Sequence, residues 1–250
     1  MQKKSRMTAL VLLCLAPPVS GAQGPEETAG EPEKLEPFKA EYRINVSRIP
    51  IGISAELELR PQEREDHYNI EFRIDSWLMN NTESSTFAWR ECEPRTESYT
   101  HEFRGFGRRR NYEMEFDWGS PVTVTTTANE RGSDEEVTTQ EAPDNILDEL
   151  TMLLQSRCLL REGREQYSVD TVYGTRIREH AVKVVDRETL STPVGEMETL
   201  VIRKQRDPDS DRHTMFWVAP ELDYMLIRAR HRESRLLYGE LNLRRYSGPM

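Results

Sequence analysis

The stretch NYEMEFDW, residues 111–118, alternates without a break: Tyr112, Met114, Phe116 and Trp118 interleave with Glu113, Glu115 and Asp117. Successive side chains of an extended chain point to opposite faces, so this period of two describes a strand with one apolar and one solvated face. The same rhythm recurs upstream. FKAEYRINV (38–46) sets Phe38, Ala40, Tyr42, Ile44 and Val46 on one face, and IGISAELELR (51–60) and YNIEFRIDSWL (68–78) alternate likewise. Further strand candidates are 97–104, 109–118, 166–173, 176–186, 196–205, 213–218, 222–230 and 236–246. Short turn segments separate them, as in antiparallel meanders.

One segment departs from that rhythm. DNILDELTMLLQSRCLL (144–160) carries Ile146, Leu147, Leu150, Leu153, Leu154 and Cys158 at helical spacing. Asp144 or Asn145 is placed to cap it, Asp148 and Glu149 lie near its positive end, and Gly163 ends it. The preceding NERGSDEEVTTQEA (129–142) reads as a polar loop, and KQRDPDSDRH (204–213) as a turn. Roughly ten to twelve one-sided strands and a single helix give a mostly β (α+β) fold. It is expected to be one β-rich domain over 38–247, a curved antiparallel sheet or partly open β-barrel with one covering amphipathic helix.

The N-terminus reads as a targeting segment. Lys3, Lys4 and Arg6 precede the apolar run MTALVLLCLA (7–16), and SGA (20–22) offers small residues for cleavage after Ala22. That run is shorter than the about 20 residues a membrane-spanning helix needs. Residues 1–22 are therefore expected to be a signal peptide, and QGPEETAGEPEKLEP (23–37) a flexible acidic linker. Cleavage would remove three cations and no acids, taking the net charge from −10 to −13. So acidic a chain has no overall attraction for nucleic acid. Cys14 would leave with the signal, and Cys92 and Cys158 would remain. In an oxidising compartment they are a disulfide candidate; spacing alone leaves two unpaired thiols as the alternative.

Templates for catalysis and metal binding fail. The chain holds no G-x-S-x-G elbow, no H-E-x-x-H, no phosphate loop, and no C-x-x-C or Cys/His cluster. Asp207, Asp209 and Asp211 imitate the start of a calcium loop, but Arg212 and Val218 stand where its glycine and bidentate glutamate belong. Asn45-Val-Ser47 and Asn80-Asn81-Thr82 match the glycosylation pattern. His101 shares strand parity with Tyr99 and Phe103 and reads as a core histidine, with a hydrolytic site around it as the alternative. No catalytic residue, metal or cofactor is assigned.

The basic stretch RGFGRRRN (104–111) opens like the RNA-recognition signature, but Arg108 stands in place of its second stacking aromatic and Asn111 in place of its last ring. Gly105 and Gly107 read instead as turn formers between two strands. Arg108 and Arg110 then share a face with Tyr112, Met114, Phe116 and Trp118, while Arg109 points the other way. Two guanidiniums above an apolar concavity suit an amphiphile with an anionic head; the alternative is that they pair with neighbouring acids. The candidate ligand-binding set is Arg108, Arg110, Tyr112, Phe116 and Trp118.

FKAEYRINVSRIPIGISAELEL, WRECEPRTESYTHEFRGFGRRRNYEMEFDW, the helix DNILDELTMLLQSRCLL, LSTPVGEMETLVIRK, HTMFWVAPELDYMLIRARHRE and GELNLRRY follow one another along the chain. In that order they resemble the bacterial envelope family catalogued as domain of unknown function 3108, over essentially all of 38–247. The most specific parts are Trp217-Val218-Ala219-Pro220 leading to Asp223 and Tyr224, the helix with Asp148, and Phe116-Asp117-Trp118. Met225-Leu226 departs from the proline that commonly follows the LDY segment. The resemblance implies a periplasmic protein of a Gram-negative bacterium and a curved antiparallel sheet with a helix, similar in outline to periplasmic lipoprotein carriers. It implies no activity. The expected role is a non-catalytic periplasmic protein that binds a lipid or other amphiphile on a concave β surface in envelope maintenance. An envelope protein–protein interaction module is the first alternative and a hydrolase with an unrecognised site the second. Nucleic acid is not expected as a partner, nor a transmembrane segment after signal cleavage.

Overall fold

A computed structural model describes residues 34–46, 49–130, 133–205, 213–232 and 238–249. The expected signal peptide, residues 23–33 of the linker, Ser47 of the first glycosylation pattern and the Asp207–Asp211 triplet lie outside them.

The strands form two meanders. The first runs through β1 (Phe38–Val46), β2 (Ile49–Pro61), β3 (His67–Asp75), β4 (Met79–Arg90), β5 (Glu93–Gly105), β6 (Arg108–Asp117), β7 (Thr123–Glu130) and β8 (Glu136–Glu141). Helix α1 (Thr151–Arg161) follows. The second comprises β9 (Gln166–Tyr173), β10 (Arg176–Thr192), β11 (Gly195–Gln205), β12 (His213–Ala219), β13 (Met225–Arg232) and β14 (Tyr238–Ser247). Antiparallel pairing of β1 with β14 fuses them into one fourteen-stranded sheet with β8 and β9 at its edges. The alternation read from the sequence is the alternation of burial: Phe38, Ala40 and Tyr42 are buried in β1, and Tyr112, Met114 and Phe116 in β6.

Helix α1 packs on two sides. Leu150, Leu154 and Cys158, spaced at i, i+4 and i+8, join the larger core with β1–β7. Leu147, Met152 and Leu160 join a second core with Val169, Val182, Leu200, Ile202 and Val218. Of the helical residues only Arg161 is exposed. The sheet therefore curls around the helix, and the helix takes up the space that the curl encloses.

Three anchors hold it there. Asp148 is fully buried; its Oδ1 accepts from the Leu150 and Thr151 N–H groups at 2.8 and 3.0 Å. Its Oδ2 accepts from the hydroxyls of Ser85 in β4 (2.7 Å), Thr96 in β5 (2.6 Å) and Thr151 (2.8 Å). Thr151 Oγ1 in turn accepts from Asp148 N–H at 3.1 Å, a reciprocal cap of the helix start. At the other end Asp223 pairs with Arg157 and, at 2.7 Å, with Arg161. A disulfide joins Cys92, in the β4–β5 turn, to Cys158 of α1.

The structure corrects several boundaries. The helix begins at Thr151, not near 144, because Asp148 caps the chain there and Leu147 is diverted to pair in parallel with Thr171 of β9. The expected loop 129–142 contains the end of β7 and all of β8, an edge strand with no buried residue and hence no alternation to read. Strand β4 was missed because its inward face carries Asn81 and Ser85 among its apolar residues. The strand expected from 222 starts at Met225, after a 3-10 turn (Pro220–Leu222) and left-handed Asp223 and Tyr224.

Candidate functional site at the seam of the sheet

The two edges of the sheet are not hydrogen-bonded to each other. Leu147 covers β9, donating its N–H to Asp170 O at 3.0 Å and accepting from Val172 N–H at 2.9 Å. Closure comes from the β9–β10 turn. Thr126 of β7 donates its hydroxyl to Gly174 O at 3.1 Å, and Gly174, at φ 58°, lies against Tyr112, where an added Cβ would sit 3.4 Å from the ring. A left-handed glycine thus lets the turn rest on the inner face of β6 and β7.

Beside this contact lies a cleft of about 540 Å³, whose lining includes Arg110, Tyr112, Glu130, Tyr173, Arg176 and Arg178. Behind it, His101, Tyr112 and Tyr173 form a triangle of rings with centroids 5.7 to 5.9 Å apart. Arg178 lies over the Tyr173 ring at 5.6 Å. Glu130 is engaged already, accepting from the Tyr112 hydroxyl and lying 3.7 Å from Arg110 Nε. Burial, with Glu130 beside it, raises the Tyr112 pKa, so the phenol stays a neutral donor. Arg176 and Arg178 form no ion pair with a carboxylate among the described residues.

His101 is a buried residue behind the cleft. Asn81 donates through Nδ2 to Glu83, so its Oδ1 must accept from His101 Nε2 at 2.9 Å. His101 Nδ1 has no partner among the described residues. Burial lowers the His101 pKa; Glu83 and Glu149 act to raise it, and Arg110 to lower it further. A second, partly buried network lies nearer the helix. Glu149 accepts from Thr171 Oγ1 at 3.3 Å and Lys204 Nζ at 3.0 Å, and Thr171 accepts from His180 Nε2 at 3.0 Å. Burial alone would raise the Glu149 pKa, but Lys204, His180 and Thr171 together bring it below the usual range. The remaining space beside α1 is apolar and small, about 50 Å³, lined by residues such as Phe38, Met152 and Tyr167.

The five residues grouped from sequence do not make one site. Arg110 and Tyr112 line the cleft, but Arg108 is exposed at the hairpin tip. Phe116 and Trp118 lie at the far end of β6 and stack on each other at 6.4 Å; Trp118 donates its indole N–H to Thr96 O at 2.7 Å. They share a strand face, but a face about 3.4 Å per residue long carries them away from the arginines. Tyr173, Arg176 and Arg178 were missed. They come from the opposite edge of the sheet, and nothing in their local sequence says that the sheet curls to bring them to Arg110.

The architecture is that of a curled, barrel-like antiparallel sheet filled by one helix. Among the matching solved structures is a beta-barrel-like protein of domain of unknown function DUF1849 from Brucella abortus. Its TM-score is 0.55 at 10% identity, over 87% of this chain and 99% of that one, a likeness of fold alone. No curated protein sequence matches the chain. Residues 41–244 match the family described as protein of unknown function (DUF3108), and the chain belongs to that family. Asp148, Asp223 and Trp118, which lie in the parts that carry the family resemblance in the sequence, are residues that anchor α1 or the strand end beneath it.

Proposed function

We propose that the protein is an exported, non-catalytic interaction module of the bacterial cell envelope that grips a segment of a partner protein in the seam cleft. The contrast between the two spaces carries this reading. The interior offers about 50 Å³, well short of the roughly 300–1,000 Å³ of small-molecule sites, whereas the seam cleft offers about 540 Å³. Arg176 and Arg178, in no ion pair with a carboxylate among the described residues, and two tyrosine rings suit an extended segment anchored by an acidic side chain. The Cys92–Cys158 disulfide and the signal-like first 22 residues support export into an oxidising compartment such as the periplasm.

A lipid or other amphiphile inside the sheet is the second reading, favoured by the apolar lining beside α1. It requires the helix to move outward, against the disulfide and the Asp148 and Asp223 contacts. The test of the first reading is photocrosslinking in cells from a reactive residue at position 175, which lines the cleft and leaves its arginines in place. One envelope protein is expected to be captured repeatedly, and to be lost with Arg110→Glu/Arg178→Glu in a protein that still folds. Capture of nothing, or capture indifferent to the charge reversal, would contradict it.

A further inference from the structure

The β3–β4 and β5–β6 turns lie side by side at one end of the sheet, because Met79 at the start of β4 pairs with Gly105 at the end of β5. Each turn carries an aromatic residue out of the protein: Trp77 is 88% exposed and Phe106 is 66% exposed. Phe106 sits at φ 50° and Gly107 at φ 73°, the left-handed pair of a type I′ hairpin turn. Glycine, asparagine or aspartate suits such positions; a bulky ring there is strained and, so exposed, adds nothing to the core. Around these rings are three exposed arginines. Arg104 and Arg109 face each other across β5 and β6, and Arg108 pairs with Gly105. None of the three forms an ion pair among the described residues. Residues 75–80 and 104–109 carry one acid, Asp75, against three arginines, a local charge of +2 on a chain of −10. Glu102, on the adjoining part of β5, is the next acid along that strand.

We propose that these two hairpin tips form a docking edge for an anionic lipid bilayer, with Trp77 and Phe106 entering the headgroup layer and Arg104, Arg108 and Arg109 meeting lipid phosphates. The amphipathic indole of tryptophan favours the membrane–water interface, a phenylalanine ring adds apolar surface to bury there, and arginine binds phosphate bidentately. A cation near an anionic leaflet contributes roughly a fivefold gain in binding, so three contribute on the order of a hundredfold at low salt. The cleft reading does not depend on this edge.

The purified protein is mixed with vesicles of phosphatidylglycerol and phosphatidylethanolamine, and separately with pure phosphatidylcholine. It is expected to sediment with the anionic vesicles, to be released by salt, and to shift its tryptophan emission to the blue. Trp77 reports directly, since Trp89 and Trp217 are buried and Trp118 is packed on Phe116. Trp77→Ala should remove the shift, Trp77→Ala/Phe106→Ala should weaken sedimentation, and Arg104→Gln/Arg108→Gln/Arg109→Gln should reduce it about a hundredfold. All five side chains are exposed, so circular dichroism should show these variants folded. No binding to anionic vesicles, equal binding to phosphatidylcholine, or binding untouched by the tip variants would overturn the proposal. So would tip variants that lose an envelope protein in cells while the wild type ignores vesicles, since the edge would then be a protein contact.

Discussion

A carboxylate with no exposed surface needs its lone pairs occupied, and Asp148 accepts five hydrogen bonds from two strands and the start of the helix. Asp148→Asn keeps the shape but replaces one acceptor oxygen with a donor, facing either three hydroxyls or two backbone N–H groups. A loss of about 2–3 kcal/mol in stability is expected, read as a lower urea midpoint. His101 gives the protein a pH dependence. Its ordinary pKa of 6.5 applies in the unfolded chain, while burial lowers it in the fold. Between those two values the unfolded chain binds a proton that the folded protein does not. Stability is therefore full above pH 6.5 and falls as pH drops toward the folded value; His101→Gln should flatten that part of a stability–pH curve. The lowered pKa of Glu149 acts in the same direction but in a separate window, below its ordinary 4.5.

At the scale of the element, α1 is tied at both ends and once in between. The Cys92–Cys158 bridge spans a sequence separation of 66 residues, for which loop closure contributes about 4 kcal/mol. Cys92→Ser/Cys158→Ser should unfold at correspondingly lower urea, and the wild type should match it once reduced. Asp223→Ala leaves Arg157, whose side chain is only 11% exposed, without its carboxylate, and should raise amide exchange through α1 before the outer strands. The helix was legible in the leucine spacing, but its start was not, since Ile146, Leu147 and Leu150 are buried in both a helix and the turn that Asp148 makes. Most strands with an apolar and a polar face were legible to within a few residues, but β4 and β7 were not, since polar Asn81, Ser85 and Thr126 stand on their buried faces. Strand β8 was not, because an edge strand with both faces wet has no alternation.

At the scale of the whole molecule, local alternation announced a curled antiparallel sheet, but not which distant edges meet. Arg110 and Tyr112 were visible as polar and aromatic residues on one strand face. Their cleft partners Tyr173, Arg176 and Arg178 depend on β9 and β10 coming round to β6 and β7, a long-range closure that no short window records. The same closure puts α1 inside, so the concavity expected to hold a lipid is taken up by leucine, methionine and a buried carboxylate. The central claim, that the curled sheet is filled by its own helix and recognises partners at its seam, meets its most direct test in native mass spectrometry of protein purified without detergent. The expected result is the mass of the disulfide-bonded polypeptide alone; a stoichiometric acyl lipid retained inside the folded protein would contradict it.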